Sequence, residues 1–270
     1  MRIGILHVTR YIYDAPATYS VQALRLTPPE FADQHVVSWA IRAPGIETAA
    51  VFRDGFGNKA HLVAVTGEHA EVAIAAEGIV ETSDSHGVVR GLVEVAPVRV
   101  FLRSTSLTAP DDAIRALAAG AREADAVARL HALMGGVSEA IEYVVGETHS
   151  HTTAADALQR GRGVCQDHAH VFIAAARVLG IPARYVNGYM VAEEGHEAEA
   201  HHGWAEAWVD GVGWIGFDPA NQLCPTERYV RLATGLDALS AAPIRGSRRG
   251  GASEQLDVRV EVAQQGASQQ

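Results

Sequence analysis

Residues 161–180 read GRGVCQDHAHVFIAAARVLG. Gly161 and Gly163 interrupt any helix on the N-terminal side, and Gly180-Ile-Pro182 stops one on the C-terminal side. Between them Cys165, Ala169, Phe172, Ile173, Ala176 and Leu179 recur on one helical stripe. The spacing predicts a helix from Cys165 to Leu179 with the cysteine in its first turn, facing inward. There a thiol meets free backbone N–H groups and roughly half a positive charge, which favours a thiolate and offers hydrogen bonds to an oxyanion. The bland alternative is that free cysteine is most often a small buried hydrophobe. Cys224 lacks the helix context and reads that way.

Downstream, strands are expected at about 182 to 192, 202 to 209 and 213 to 218. His202-Gly-Trp-Ala-Glu-Ala-Trp208 alternates as a strand, and Asp210-Gly-Val-Gly213 turns it into a second one ending at Asp218. If the loop has three residues, 210 to 212, then Trp208 faces Trp214, and His202 and Asp218 share a face as diagonal neighbours. An even loop separates them. A histidine so placed can take a thiol proton while the carboxylate fixes its tautomer and offsets its charge. The competing reading is a packed strand histidine and a strand-ending Asp218-Pro219 turn. Trp204, Trp208 and Trp214 read as an apolar wall under the hairpin, and Glu206 as either paired with Arg184 or solvated.

Upstream, residues 2 to about 103 alternate in short runs rich in Val, Ile, Tyr and Thr, broken at Asp14-Ala-Pro16, Thr27-Pro-Pro29, Ala43-Pro-Gly45 and Asp54-Gly-Phe-Gly57. Six or seven strands in a sandwich are expected there. The texture changes near Ser106, where Leu130, Leu133, Met134, Val137, Ile141 and Val144 take helical spacing, and Thr153 N-caps a further helix. The expectation is an α+β protein: a β-sandwich-like domain over 1–105, then a domain over 106–270 with a helix packed on an antiparallel sheet. Leu256 to Val262 alternates and returns as a strand, before a Gln/Gly/Ser tail.

The 270 residues are 48% hydrophobic, enough for substantial cores, and carry a formal net charge of -10 with no basic run longer than Arg248-Arg249. A phosphate backbone would be repelled, so nucleic acid is excluded as a partner. Two cysteines exclude a disulfide framework, and no apolar run approaches a membrane span or a signal-peptide core. A cytoplasmic protein with reduced thiols is expected, and an edge strand or apolar patch leaves a homo-oligomer open.

Four stretches, Gly163-Val-Cys-Gln-Asp-His-Ala-His170, Leu179-Gly-Ile-Pro-Ala-Arg-Tyr-Val-Asn-Gly-Tyr189, His202-Gly-Trp204 and Gly213-Trp-Ile-Gly-Phe-Asp-Pro219, occur in an order that resembles bacterial transglutaminase-like proteins. Tyr11-Ile-Tyr-Asp-Ala-Pro16, Leu24-Arg-Leu-Thr-Pro28 and Asp54-Gly-Phe-Gly-Asn58 are similar to that family's N-terminal β-domain. The resemblance implies a papain-like core in which Cys165 is the nucleophile, His202 the general base and then acid, and Asp218 the orienting carboxylate. It also implies a peptide or protein substrate and, for the bacterial branch, amide hydrolysis before glutamine-to-lysine transfer. By the same matching the Cys165 N–H is one oxyanion donor. Gln166 is a candidate for the second, although Gln166 and Asp167 equally suit any helix N-terminus, and Asp167 is expected to point away from the thiol.

Trp204 and His151 are further cleft candidates, with His149 and His151 either lining the cleft or lying on the surface. The 13 histidines invite a zinc site built from Cys165, His202 and His151 or His168. No His-x-x-x-His pair exists, and His168 and His170 point to different helix faces, so no metal is expected. No glycine group has a phosphate loop's setting, so no cofactor is expected either. The rivals to hydrolysis are an acyltransferase and a non-catalytic peptide-binding module on the same fold. The acidic segment Ala192 to Ala200 hints at a basic or neutral substrate.

Overall fold

The computed structural model describes residues 1–191, 201–251 and 253–265. The segment Ala192 to Ala200 and the tail from 266 onward therefore lie outside the described residues. In chain order come β1 (Arg2–Leu24), β2 (Gln34–Arg42), β3 (Ala50–Arg53) and β4 (Lys59–Thr82), then α1 (Asp112–Gly120), α2 (Ala126–Ala140), β5 (Glu142–Tyr143), α3 (Ala154–Arg160) and β6 (Arg162–Gly163). The last part comprises α4 (Cys165–Val178), β7 (Ala183–Met190), β8 (His201–Val209), β9 (Gly213–Phe217), β10 (Tyr229–Gly235), β11 (Ile244–Gly250) and β12 (Glu254–Gln264). The chain is α+β, as expected.

The N-terminal strands differ in kind from the expectation. Residues 1–105 supply four strands, two of them very long, and their sheet is completed by β11 and β12 from the opposite end of the chain, both antiparallel to β1. No second sheet forms within 1–105. The inner face instead buries Ile3, Ile5, Leu24, Val63, Val72 and Ile74 in one cluster with Tyr189, Val230 and Leu232 of the C-terminal sheet, ordered β10-β7-β8-β9. Asp14-Ala-Pro16 reads as a turn, yet it lies inside β1 where the pairing with β4 slips between Ile12 and Ala17. Proline lacks a donor and is tolerated at such an irregularity, so a local break signal need not end a strand.

Two side-chain amides lace the halves together. Gln34 Nε2 donates to the Arg231 carbonyl at 3.0 Å while the Arg231 N–H donates to Gln34 Oε1 at 2.7 Å. Asn58 repeats the arrangement on Thr234, with both bonds at 2.8 Å. Each amide thus satisfies a donor and an acceptor on β10 that would otherwise be buried unpaired. Asp54 holds the Asn58 turn by accepting from the Phe56 and Asn58 N–H groups, at 2.9 and 3.0 Å, and from Arg25 Nε at 2.6 Å. That is the physical content of the Asp54-Gly-Phe-Gly-Asn58 motif.

Behind the second sheet lie the helices. Asp111, Asp125 and Thr153 N-cap α1, α2 and α3 in turn, and Thr153 forms a reciprocal capping box with Asp156. Gly161 ends α3 in the left-handed region at φ 64°. Val144 does not extend α2, because Glu142 and Tyr143 leave the helix to pair with Arg162 and Gly163. α4 lies against β7 and β8, with Phe172 and Ala176 among Ala183, Tyr185, Ala205, Ala207 and Phe217. No described helix is long and apolar enough to cross a membrane.

Candidate active site

Cys165 is the first residue of α4 and is buried. The side chain that anchors the helix start is Asp167, itself buried. Its Oδ2 accepts from the Val164 N–H at 2.9 Å and from the Thr148 hydroxyl at 2.6 Å. The carboxylate passes so close beneath Gly163 that a Cβ there would lie 2.7 Å from Oδ2, which is why a glycine precedes the helix. Asp167 Oδ2 is thus engaged at the helix start by one backbone N–H and one hydroxyl. The first N–H groups of α4, those of Cys165 and Gln166, have no carbonyl within the helix to bond to.

The hairpin has the three-residue loop. Trp208 pairs with Trp214 and Val209 with Gly213, leaving 210 to 212 as the turn, with Gly211 and Gly213 at positive φ. One consequence is that His202, at the start of β8, and Asp218, just beyond β9, meet: His202 Nε2 lies 2.6 Å from Asp218 Oδ2. That bond leaves Nδ1 as the other ring nitrogen, and Cys165 is near enough to the imidazole to favour its charged form. Burial pulls the His202 pKa down, but the Asp218 carboxylate, seconded by the Cys165 sulfur, outweighs it and raises the value to about 10. Burial likewise works against the Asp218 charge, and His202, Tyr229 and Asn221 together hold its pKa below the ordinary value.

Asp218 is fully buried and saturated with donors. Oδ1 accepts from the Ala220 and Asn221 N–H groups at 3.1 and 3.3 Å, and Oδ2 from the Tyr229 hydroxyl at 2.7 Å and Asn221 Nδ2 at 2.8 Å as well as from His202. Asn221 and Tyr229 have no counterpart in the sequence reading. Asn221 had a faint signal, three residues past the start of an Asp-Pro turn, whereas Tyr229 reaches the site only because β10 pairs with β7. Tyr229→Phe removes one charge-assisted bond from the carboxylate and is expected to lower kcat about tenfold with KM nearly unchanged, read by steady-state kinetics on any substrate the protein turns over.

The other sequence candidates separate. Trp204 stacks near His202, rings 6.3 Å apart at 21°, and meets Tyr229 edge-on at 5.4 Å, so it belongs to the wall of the site. Gln166 is half-buried beside Cys165. His151 is exposed, and its backbone N–H donates to His149 Nδ1 at 3.2 Å, which places the pair on the surface. His168 turns both ring nitrogens to backbone carbonyls, those of Val164 at 2.9 Å and Ile141 at 3.0 Å, and so is spent on holding α4. Cys224 is half-buried with its thiol pKa raised by burial. Glu206 does pair with Arg184, at 2.7 Å, within a buried charge network.

A thiol at a helix N-terminus, set against a strand histidine and a buried carboxylate on one antiparallel sheet, defines the transglutaminase-like, papain-related class. The chain belongs to it: the transglutaminase-like superfamily model matches residues 115–219, and the bacterial transglutaminase-like N-terminal region model matches residues 3–81. Among its relatives is an uncharacterized protein of Mycobacterium leprae, 30% identical over 275 residues that cover 97% of this chain and 98% of that one. An uncharacterized protein of Mycobacterium tuberculosis is 29% identical over 272 residues, covering 91% of this chain and 87% of its own. The crystal structure of a candidate cysteine protease from Cytophaga hutchinsonii shares the fold at a TM-score of 0.79 and 24% identity, covering all of this chain and 92% of that one.

Proposed function

We propose that the protein is a cysteine-dependent amide hydrolase acting on peptides or proteins, with Cys165 as nucleophile, His202 as general base and acid, and Asp218 as the group that orients His202. The observation that carries this reading is the imidazole bonded at 2.6 Å to a buried carboxylate and near the thiol at the head of α4. A merely structural histidine has no need of both partners.

In the reaction, the Cys165 sulfur attacks the amide carbon while its proton resides on His202. The carbonyl oxygen takes up negative charge facing the Cys165 N–H at the free end of α4. The C–N bond breaks as His202 delivers that proton to the leaving amine, and a thioester remains on the enzyme. A water molecule, deprotonated by His202, then adds to the thioester, the C–S bond breaks, and acid and free thiol are released.

The test is incubation with blocked peptide amides, in the presence and absence of a primary amine, with mass-spectrometric readout. Release of free acid even when amine is present supports the hydrolase. Predominant amine adduct would make the protein an acyltransferase on the same acyl-enzyme. Peptide bound without turnover would leave the binding-module reading.

A further inference from the structure

The sheet that carries the N-terminal strands ends, along β1, in two successive edge strands of opposite character. β11 carries Arg245, Arg248 and Arg249, a density of like charge that discourages a second chain. β12 has eleven residues with no proline, glycine or lysine, and among the described residues it pairs only with β1. Its Leu256, Val258, Val260 and Val262 stand opposite Tyr11, Thr9, His7 and Ile5, and so form one row on the sheet's inner face. Val260 and Val262 reach the core, whereas Leu256 and Val258 overhang it and are 55% and 49% exposed. The other face of the strand is the polar row Gln255, Asp257, Arg259 and Glu261.

We propose that β12 is a self-association edge: two copies of this chain pair their β12 strands antiparallel about a two-fold axis through Val258, extending the sheet across the dimer. The central segment, Leu256 to Val260, is self-complementary in that register on both faces, while at the ends of the ladder Glu254 falls opposite Val262 on the inner row. Val258 meets its own copy and Leu256 meets the second copy's Val260, so the apolar row continues. On the polar face Asp257 meets Arg259 twice by symmetry, and Gln255 meets Glu261. Moving the axis by one residue sets Asp257 against Asp257 or Arg259 against Arg259. An axis through Val260 sets Arg259 against Glu261 but leaves Leu256 opposite Gln264. The Val258 register therefore covers the two exposed aliphatic side chains and pairs Asp257 with Arg259, and the edge's backbone groups, which pair with no other strand among the described residues, supply the ladder.

The test is sedimentation equilibrium on the full chain from about micromolar to about 100 micromolar, the range in which small edge-to-edge interfaces dissociate. A dimer is expected. Arg259→Asp, at a side chain 71% exposed, replaces two attractions by two repulsions and is expected to raise the dimer Kd about tenfold or more. Adding Asp257→Arg to that variant is expected to restore the parent Kd. Along the Val260 axis the same double change would leave the new carboxylate facing Glu261 and rescue nothing. Val258→Lys, which puts like charges on the axis, is expected to give monomer with an unchanged circular dichroism spectrum. A monomer throughout the range would overturn the proposal, as would a dimer indifferent to Arg259→Asp and Val258→Lys, or one weakened by Arg259→Asp but not rescued by the double change.

Discussion

Cys165→Ala is expected to reduce kcat/KM at least about a thousandfold, and His202→Ala by a similar factor, with the double variant no worse than either alone. The shared loss follows from the geometry, because each residue acts only through the other: the thiol needs the ring to hold its proton, and the ring has no acceptor role without the thiol. Residual turnover from the α4 terminus and binding sets the floor. The two single variants are expected to keep the parent's circular dichroism, since neither change opens the helix core around Phe172. The pH profile carries a second signature. His202 must be protonated to release the amine, and its pKa is raised to about 10 by Asp218, so the alkaline limb of kcat/KM should lie far above the 6.5 of an ordinary histidine. Asp218→Asn is expected to bring that limb back toward neutrality. The same pair contributes folding stability that is fully present below 6.5 and is lost as pH rises through about 10.

Glu206→Ala is expected to cost about 3–5 kcal/mol of stability, the range for breaking a buried charge cluster by removing one partner, and to lower Tm by about 10 °C in a thermal melt. Glu206 is buried between two buried arginines. Arg184 Nε bonds it at 2.7 Å and Arg231 Nη1 bonds its other oxygen, while Arg184 also grips Glu94 at 2.8 and 3.0 Å and lies 3.9 Å from the Trp214 ring centroid. Removing Glu206 takes away the carboxylate bonded to Arg231, whose Nη2 already lacks a hydrogen bond among the described residues. Burial alone would raise the Glu206 pKa, but Arg231 and Arg184 dominate and depress it. Its contribution is therefore present above the unfolded carboxylate's pKa and is lost as pH falls through the depressed folded value. Because the same strand carries His202 four residues earlier, loosening this cluster is expected to lower activity as well, below the melting range.

How far the molecule could be read from its residues depended on how local each determinant was. Cys165 announced itself through a stripe and two stop signals within twenty residues. The meeting of His202 and Asp218 followed from the parity of one turn, Asp210-Gly211-Val212. Thr153 and Gly161 marked both ends of α3 by capping chemistry alone. The N-terminal sheet was harder for the opposite reason. β1 runs through Pro16 because a bulge absorbs the missing donor, and its outer partners come from the far end of the chain, where only the alternation of Leu256 to Val262 gave any sign. Asn221 and Tyr229 illustrate the same limit at the site: both act on Asp218, but Tyr229 does so through a strand pairing that no spacing in the sequence expresses.

The most direct test of the central claim is the alkylation of Cys165 and Cys224 by iodoacetamide across pH, with each site read separately by mass spectrometry in the parent protein and in His202→Ala. Cys165 is predicted to react rapidly at neutral pH and to lose that reactivity when His202 is removed, while Cys224, its thiol pKa raised by burial, reacts slowly in both. Equal, slow alkylation of Cys165 in the two proteins, with peptide-sized reagents still able to enter the cleft, would contradict an activated thiol.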